Sequence, residues 1–279
     1  MPKLFAKIVL LSMCLIVSVN GEEAANAASE LSTARLKLMR DTAVGFEFSG
    51  GEDVPKTVET EPLFRYDDPT RGYEDGTVWR LGKSGRPLAI ITTELHPRYG
   101  YHGTNSSNPR MVYDLLSLSP KPLRSRSKDL IWTPQTSAVN MKALAVDVVV
   151  ADTPARRMLQ MKQIARRFTG VQEVSDPGLD ERQLALRLLP QNIDRYQSGE
   201  SPNSDGAIFL FVAGRMPGFI LVLETDGTNW EFGAGRLSGP STLTLSFDNE
   251  EVWAVKPDNG GVRSSHFATN APAVLPQEK

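Results

Sequence analysis

The sequence predicts an α+β protein of two tandem homologous units, each one helix followed by an antiparallel sheet of about four to five strands. Three observations carry this. Set residue i against i+130, and Arg65 to Glu94 gives seven identities in thirty positions, where average composition gives about two. Arg65-Tyr66 falls on Arg195-Tyr196, Asp75-Gly76 on Asp205-Gly206, and Pro87, Ile90 and Glu94 on Pro217, Ile220 and Glu224. Leu36, Met39, Ala43 and Phe46 recur at identical spacing as Met158, Met161, Ala165 and Phe168, and steps of 3, 4 and 3 make one helical stripe. The segments that follow have strand lengths, apolar or alternating character, and turn residues between them.

Lys3 and Lys7 precede an apolar run from Ile8 to Val19, and small residues follow. This is the layout of a secretory signal peptide over residues 1–27, cleaved after Gly21 or Ala27. The run is short of the roughly 20 residues that span a bilayer. Cys14, the one cysteine, lies inside it, so the mature chain is expected to carry no disulfide and no thiol nucleophile. No later run is apolar enough to cross a membrane.

The first unit, residues 28–140, is expected to place strands at 77–81, 88–95 and 112–118. The second, residues 141–257, begins with the apolar Met141–Val150, which joins the units as an edge strand or packs between them. Asp152-Thr153-Pro154 then starts a helix, with a capping oxygen and a proline suited to the first turn. Strands are predicted at 207–212, 219–224, 230–236, 243–247 and 252–255. Gly82–Pro87 and Ala213–Gly218 read as hairpin connections, and Asp226-Gly227 as a tight turn. Beyond Pro257 the chain turns polar and rich in Gly, Pro and Ser, which predicts a disordered tail over 258–279.

The order is a signal peptide, a helix with Ala34-Arg35-Leu36 and Met39, then Asp-Gly followed by a hydrophobic residue and Trp (Asp75-Gly76, Val78-Trp79), then Leu-Ser with Pro, then Ile131-Trp132-Thr133-Pro134, approximated by Val252-Trp253-Ala254-Val255-Lys256-Pro257. This order resembles a group of exported proteins of unknown function in planctomycete-type bacteria. The resemblance covers most of residues 30–257. It implies an envelope or extracellular location and brings no activity, cofactor or catalytic residue with it.

A formal net charge of -2 leaves no overall basic field to gather nucleic acid. The chain has no G-x-S-x-G elbow, no H-E-x-x-H and no phosphate-binding P-loop. Ser125 and Lys128 fit the bare S-x-x-K spacing, but in a Pro- and Arg-rich stretch without companion motifs. The candidate ligand-binding residues are His96, Tyr99, Tyr101 and His102 on one loop, with Glu94 beside them. From Glu94 to Ser119 the chain runs 25 positions, against 14 from Glu224 to Ser238, so this loop sits in an insertion of about eleven residues. Asp67, Asp68, Glu74 and Asp75 form an acidic cluster whose spacing does not match a calcium loop. Asp75-Gly76 and Asp205-Gly206 read as structural turns before strands. Arg156-Arg157 and Arg166-Arg167 read as solvated surface, and the tryptophans as core.

No catalytic residue, metal ligand or cofactor is assigned. The expected function is that of an exported, non-catalytic binding module of the bacterial envelope, with an envelope protein or glycan as partner and no nucleic acid. A secreted hydrolase with its site near the His96–His102 loop is one alternative, and a structural envelope protein is another.

Overall fold

The structure, a computed structural model, describes residues 28–274 except 52–53, 69–72, 97–108, 129, 175–181 and 200. The proposed signal segment and the loop residues Tyr99, Tyr101 and His102 lie outside the described residues. Helix α1 covers residues 28–44. Strands β1 (Glu47–Ser49), β2 (Phe64–Asp68), β3 (Tyr73–Leu81), β4 (Ala89–His96), β5 (Arg110–Ser117), β6 (Arg124–Arg126) and β7 (Ile131–Trp132) follow. After β8 (Lys142–Ala143) comes α2 (Pro154–Ala165). Then come β9 (Phe168–Val174), β10 (Arg182–Leu188), β11 (Asp194–Tyr196), β12 (Asp205–Ala213), β13 (Met216–Thr225), β14 (Trp230–Arg236), β15 (Ser241–Phe247), β16 (Glu250–Val255) and β17 (His266–Pro272). No helix among the described residues is long and apolar enough to cross a membrane.

The local chemistry of several elements is plain. Thr153 caps α2 by accepting the Arg156 N–H, and Pro154 stands in the first turn. Asp248 and Asn249 both take positive φ between β15 and β16, where a two-residue hairpin turn needs it. The Trp79 indole is fully buried, and its N–H donates to Thr77 Oγ1 at 2.8 Å.

Among the described residues every strand pairing is antiparallel, and the largest sheet exceeds the four to five strands expected of each unit. One sheet has nine strands, in the order β16-β15-β9-β10-β12-β13-β14-β8 with β11 also on β12. A second has five, β17-β5-β4-β3-β2, and a third has three, β1-β6-β7. The hairpin β9–β10, absent from the sequence prediction, enlarges the first.

The five-stranded and nine-stranded sheets lie face to face between the two helices. Strand alternation sorts the side chains. Trp79, Leu81, Ile91 and Leu115 point to α1 and pack with Met39 and Ala43. Phe209, Phe211, Phe219 and Leu221 point to α2 and pack with Met161 and Ile164. The residues between them, Val78, Ile90, Leu116, Ile208, Leu210, Ile220 and Val222, form a third core between the sheets. The central strands are therefore buried on both faces, and each large apolar side chain there contributes about 1.5–3 kcal/mol.

The closing strands cross over. β8 follows the first set of strands in the chain yet lies on the edge of β14. β17 follows the second set yet lies along β5, from His266 opposite Leu116 to Pro272 opposite Arg110. This corrects the disordered tail, because residues 266–272 are a strand. Composition hid it, and two anchors explain it: His266 is buried against Asp114, and Phe267 packs on the α1-side core. Met141–Val150 supplies an edge strand, as one of its two expected roles had it.

Across the sheet interface, Arg80 on β3 donates to both carboxylate oxygens of Asp194 on β11 at 2.7 Å. Burial still pushes the Asp194 carboxyl above its usual range despite the guanidinium. Asp194→Ala is therefore expected to cost about 3–5 kcal/mol by stranding the Arg80 charge. Arg80→Leu with Asp194→Leu should recover most of that loss, and urea unfolding of the three chains checks it.

Candidate functional site

Two matching rungs of side chains face the layer between the sheets. Tyr66 on β2 is registered with Gly76 on β3, and Gly76 with Glu94 on β4. Tyr196 on β11 is registered with Gly206 on β12, and Gly206 with Glu224 on β13. In each rung the tyrosine ring crosses over the glycine, and its hydroxyl donates to the glutamate, at 2.5 Å to Glu94 and 2.7 Å to Glu224. A Cβ at Gly76 or Gly206 would lie 2.4 Å from the ring. Burial, with the Glu224 charge adding to it, pushes the Tyr196 hydroxyl well above its ordinary value, so it stays a donor.

The opposite strand faces carry a second matched pair. Arg65 grips Asp75 and donates to the Ser32 carbonyl of α1. Arg195 grips Asp205 and reaches the Pro154 carbonyl of α2. Each arginine thus staples a helix to its sheet. This corrects the reading of Asp75-Gly76 and Asp205-Gly206 as turns. They lie in strands, the aspartate anchoring an arginine and the glycine admitting a tyrosine ring. Arg157 is a further correction, because it is buried, not solvated. Its Nε lies 3.1 Å from Asp205 Oδ2, and its Nη1 donates to the Ala151 and Asp152 carbonyls. Arg167, by contrast, lies over the Phe247 ring and pairs with the exposed Asp248.

Of the candidate ligand residues, Glu94 and His96 are brought together, with His96 Nε2 3.2 Å from Glu94 Oε2. Glu94 is buried, and its two oxygens meet Tyr66 and His96. Asp67 is engaged by Arg215 of the β12–β13 turn and Asp75 by Arg65, so these two acids serve ion pairs. Ser125 is buried in β6 while Lys128 is exposed beyond it, so the S-x-x-K spacing assembles nothing. Trp79, Trp132 and Trp230 are core.

The feature that sequence reasoning missed is His266. Its Nε2 lies 3.0 Å from Asp114 Oδ1, and both side chains are buried. Its Nδ1 is buried with no hydrogen-bond partner among the described residues. Burial is the main cause that raises the Asp114 carboxyl; the His266 hydrogen bond and charge oppose it. Next to the pair opens a cleft of about 630 Å³. One side carries Trp253, Val255 and Pro257, alternate residues along β16 and beyond it, with Lys256 and Asp258 also in the lining, and the other carries Ser264, Ser265 and His266. Arg236 lies in the floor, where its guanidinium donates to the carbonyls of Ser238, Gly239, Ser241 and Lys256. The cleft therefore offers an apolar side with an indole and a polar side with hydroxyls, within the size range of small-ligand sites. Among the described residues no group of three or more His, Cys, Asp or Glu is placed to hold a metal ion.

The chain matches no family model, no curated protein and no solved structure.

Gly76→Ala and Gly206→Ala test the rungs. Each should cost about 1–3 kcal/mol by driving a Cβ into the tyrosine ring. Pairing Gly206→Ala with Tyr196→Leu should remove part of the penalty, which thermal unfolding of the single and double variants measures.

Proposed function

We propose that this is an exported, non-catalytic binding module of the bacterial envelope, and that the cleft beside His266 is its binding surface. The observation that carries the reading is the cleft itself, whose lining combines Trp253, Val255 and Pro257 with the hydroxyls of Ser264 and Ser265 and the charged Lys256 and Asp258. A sugar unit or a polar peptide segment has matching apolar and hydrogen-bonding sides, which suits an envelope glycan or protein as partner. The buried carboxylates are engaged in bonds that hold sheets and helices, which supports a structural use for them. The positively charged start and apolar run at residues 3–19 support export.

The module arises, in this reading, by duplication of one helix-and-sheet unit. The paired Tyr-Gly-Glu rungs and the paired Arg-Asp staples support it. So does the equivalent order of β1-β6-β7 and β9-β15-β16. A hydrolase is the second reading, favoured by the Asp114–His266 pair next to Ser264 and Ser265.

Expression of the tagged full chain in its source cells, followed by fractionation and N-terminal sequencing, tests the proposal. The expected result is a chain that starts after Gly21 or Ala27 and sediments with the envelope, with Trp253→Ala weakening that retention several-fold. A chain that stays in the cytoplasm with Met1 in place overturns export. Full retention by a folded Trp253→Ala variant removes the cleft as the binding surface. Hydrolysis of model esters that is abolished by His266→Gln promotes the second reading.

A further inference from the structure

Six carboxylates are buried among the described residues, and four of them have guanidinium partners. Asp75 has Arg65, Asp194 has Arg80, Asp205 has Arg157 and Arg195, and Glu224 has Arg86. Asp114 bonds instead to His266, the first residue of the C-terminal strand. An arginine keeps its charge at every physiological pH, whereas histidine ordinarily gives up its proton within a unit or two of neutrality.

The other crossover strand shows what this position looks like without a titrating pair. His266 stands opposite Leu116 and bonds to the residue two places before it in β5. Extending the β8–β14 register places Val139 opposite Gly235, and Val139 lies over both Gly235 and Gly233. One crossing is closed by an apolar contact that pH cannot touch. The other is closed by an ionisable one.

We propose that the His266–Asp114 pair is a proton-held latch that fastens β17, and with it the His266 wall of the cleft, at acidic pH and loosens as pH rises. The inference rests on the cleft being the binding surface, and it names the regulation of that surface.

The pair with one shared proton is neutral overall, whichever partner holds it. Loss of that proton leaves a carboxylate buried, with Glu94 on β4 adding like charge nearby. Arg236 on β14 opposes this with a charge that is constant across the range, and Asp258 stands near Arg236. Tyr66 on β2 and His96 on β4 are the groups behind Glu94. Above the ordinary histidine range a released strand gives up this proton, whereas in the folded strand burial and the Glu94 charge resist forming the bare Asp114 carboxylate. The latch therefore contributes in full at low pH, and its contribution falls as pH rises through the pair's own titration. Release also lets water reach the unpartnered Nδ1 of His266. The loosening is local, because the Trp132 indole holds the Ser264 carbonyl and the Thr133 N–H holds that of Val262.

Hydrogen exchange of the full chain reads this directly. Protection of β17, corrected for intrinsic exchange, is compared with that of β12 and β13 at about pH 5 and about pH 8. The expected result is a relative loss at β17 of roughly tenfold or more at the higher pH, which Asp114→Asn and His266→Gln each flatten. A constant ratio across this range overturns the latch, as does an undiminished fall in either variant that folds. Because the readout is strand opening, the latch can fail while envelope retention survives, and the reverse.

Discussion

The burial of two sheets against each other is the constraint from which the rest follows. β3, β4, β12 and β13 have no solvent face, so a polar side chain on them must find its partner inside the protein. The partners are found across strands and across the interface. Tyr66 reaches over Gly76 to Glu94, Arg80 reaches the opposite sheet at Asp194, and Arg86 leaves its own hairpin to grip Glu224. Such pairs add little net stability over apolar residues of the same shape, but each is costly to half-remove. Their effect is to fix one register and one relative placement of the sheets.

The crossover strands add a second lock. Because β8 lies on β14 and β17 on β5, each sheet is completed by a strand that adjoins the other set of strands in the chain. Two stretches read from sequence as tandem units are thereby tied to each other. Under the proposed duplication this is an exchange of closing strands inside a single chain, and it leaves both halves dependent on each other.

Much of this was legible in the sequence, and the failures share one physical cause. The stripe of Met158, Met161 and Ala165 gave α2, and the alternation from Leu243 to Phe247 gave β15, because burial on one face leaves a periodic record. Tertiary partners leave none. Asp-Gly reads as a turn unless a tyrosine ring is known to need the space above the glycine. Arg157 reads as surface unless Asp205 and two carbonyls are known to await it. Residues 258–279 read as disordered because the stretch is polar and carries Gly, Pro and Ser, while the strand within them is held by Asp114, 152 positions away from His266. The Glu94–His96 contact was legible because both residues lie on one strand face two positions apart. The cleft was not, since its walls come together only when β17 docks.

Under the proposed duplication, the differences between the two halves are not spread evenly. The parts that hold helix to sheet are matched on both sides, Arg65 with Asp75 and Arg195 with Asp205. The Tyr-Gly-Glu rungs between the sheets are matched as well, and the differences fall on the ion pair that bridges the sheets and on the crossover edges. Arg80 and Asp194 fall where the i+130 alignment sets Leu210 and Phe64, so an ion pair on one side answers an apolar contact on the other. Asp114 and His266 answer Gly233 and Val139 in the same way. Stapling a helix to its sheet admits few solutions, so those residues stay alike, while a closing contact can be apolar or ionisable without loss of fold. The Asp114–His266 pair stands beside the cleft, and under the proposed binding role that is where a change in proton occupancy would reach a ligand.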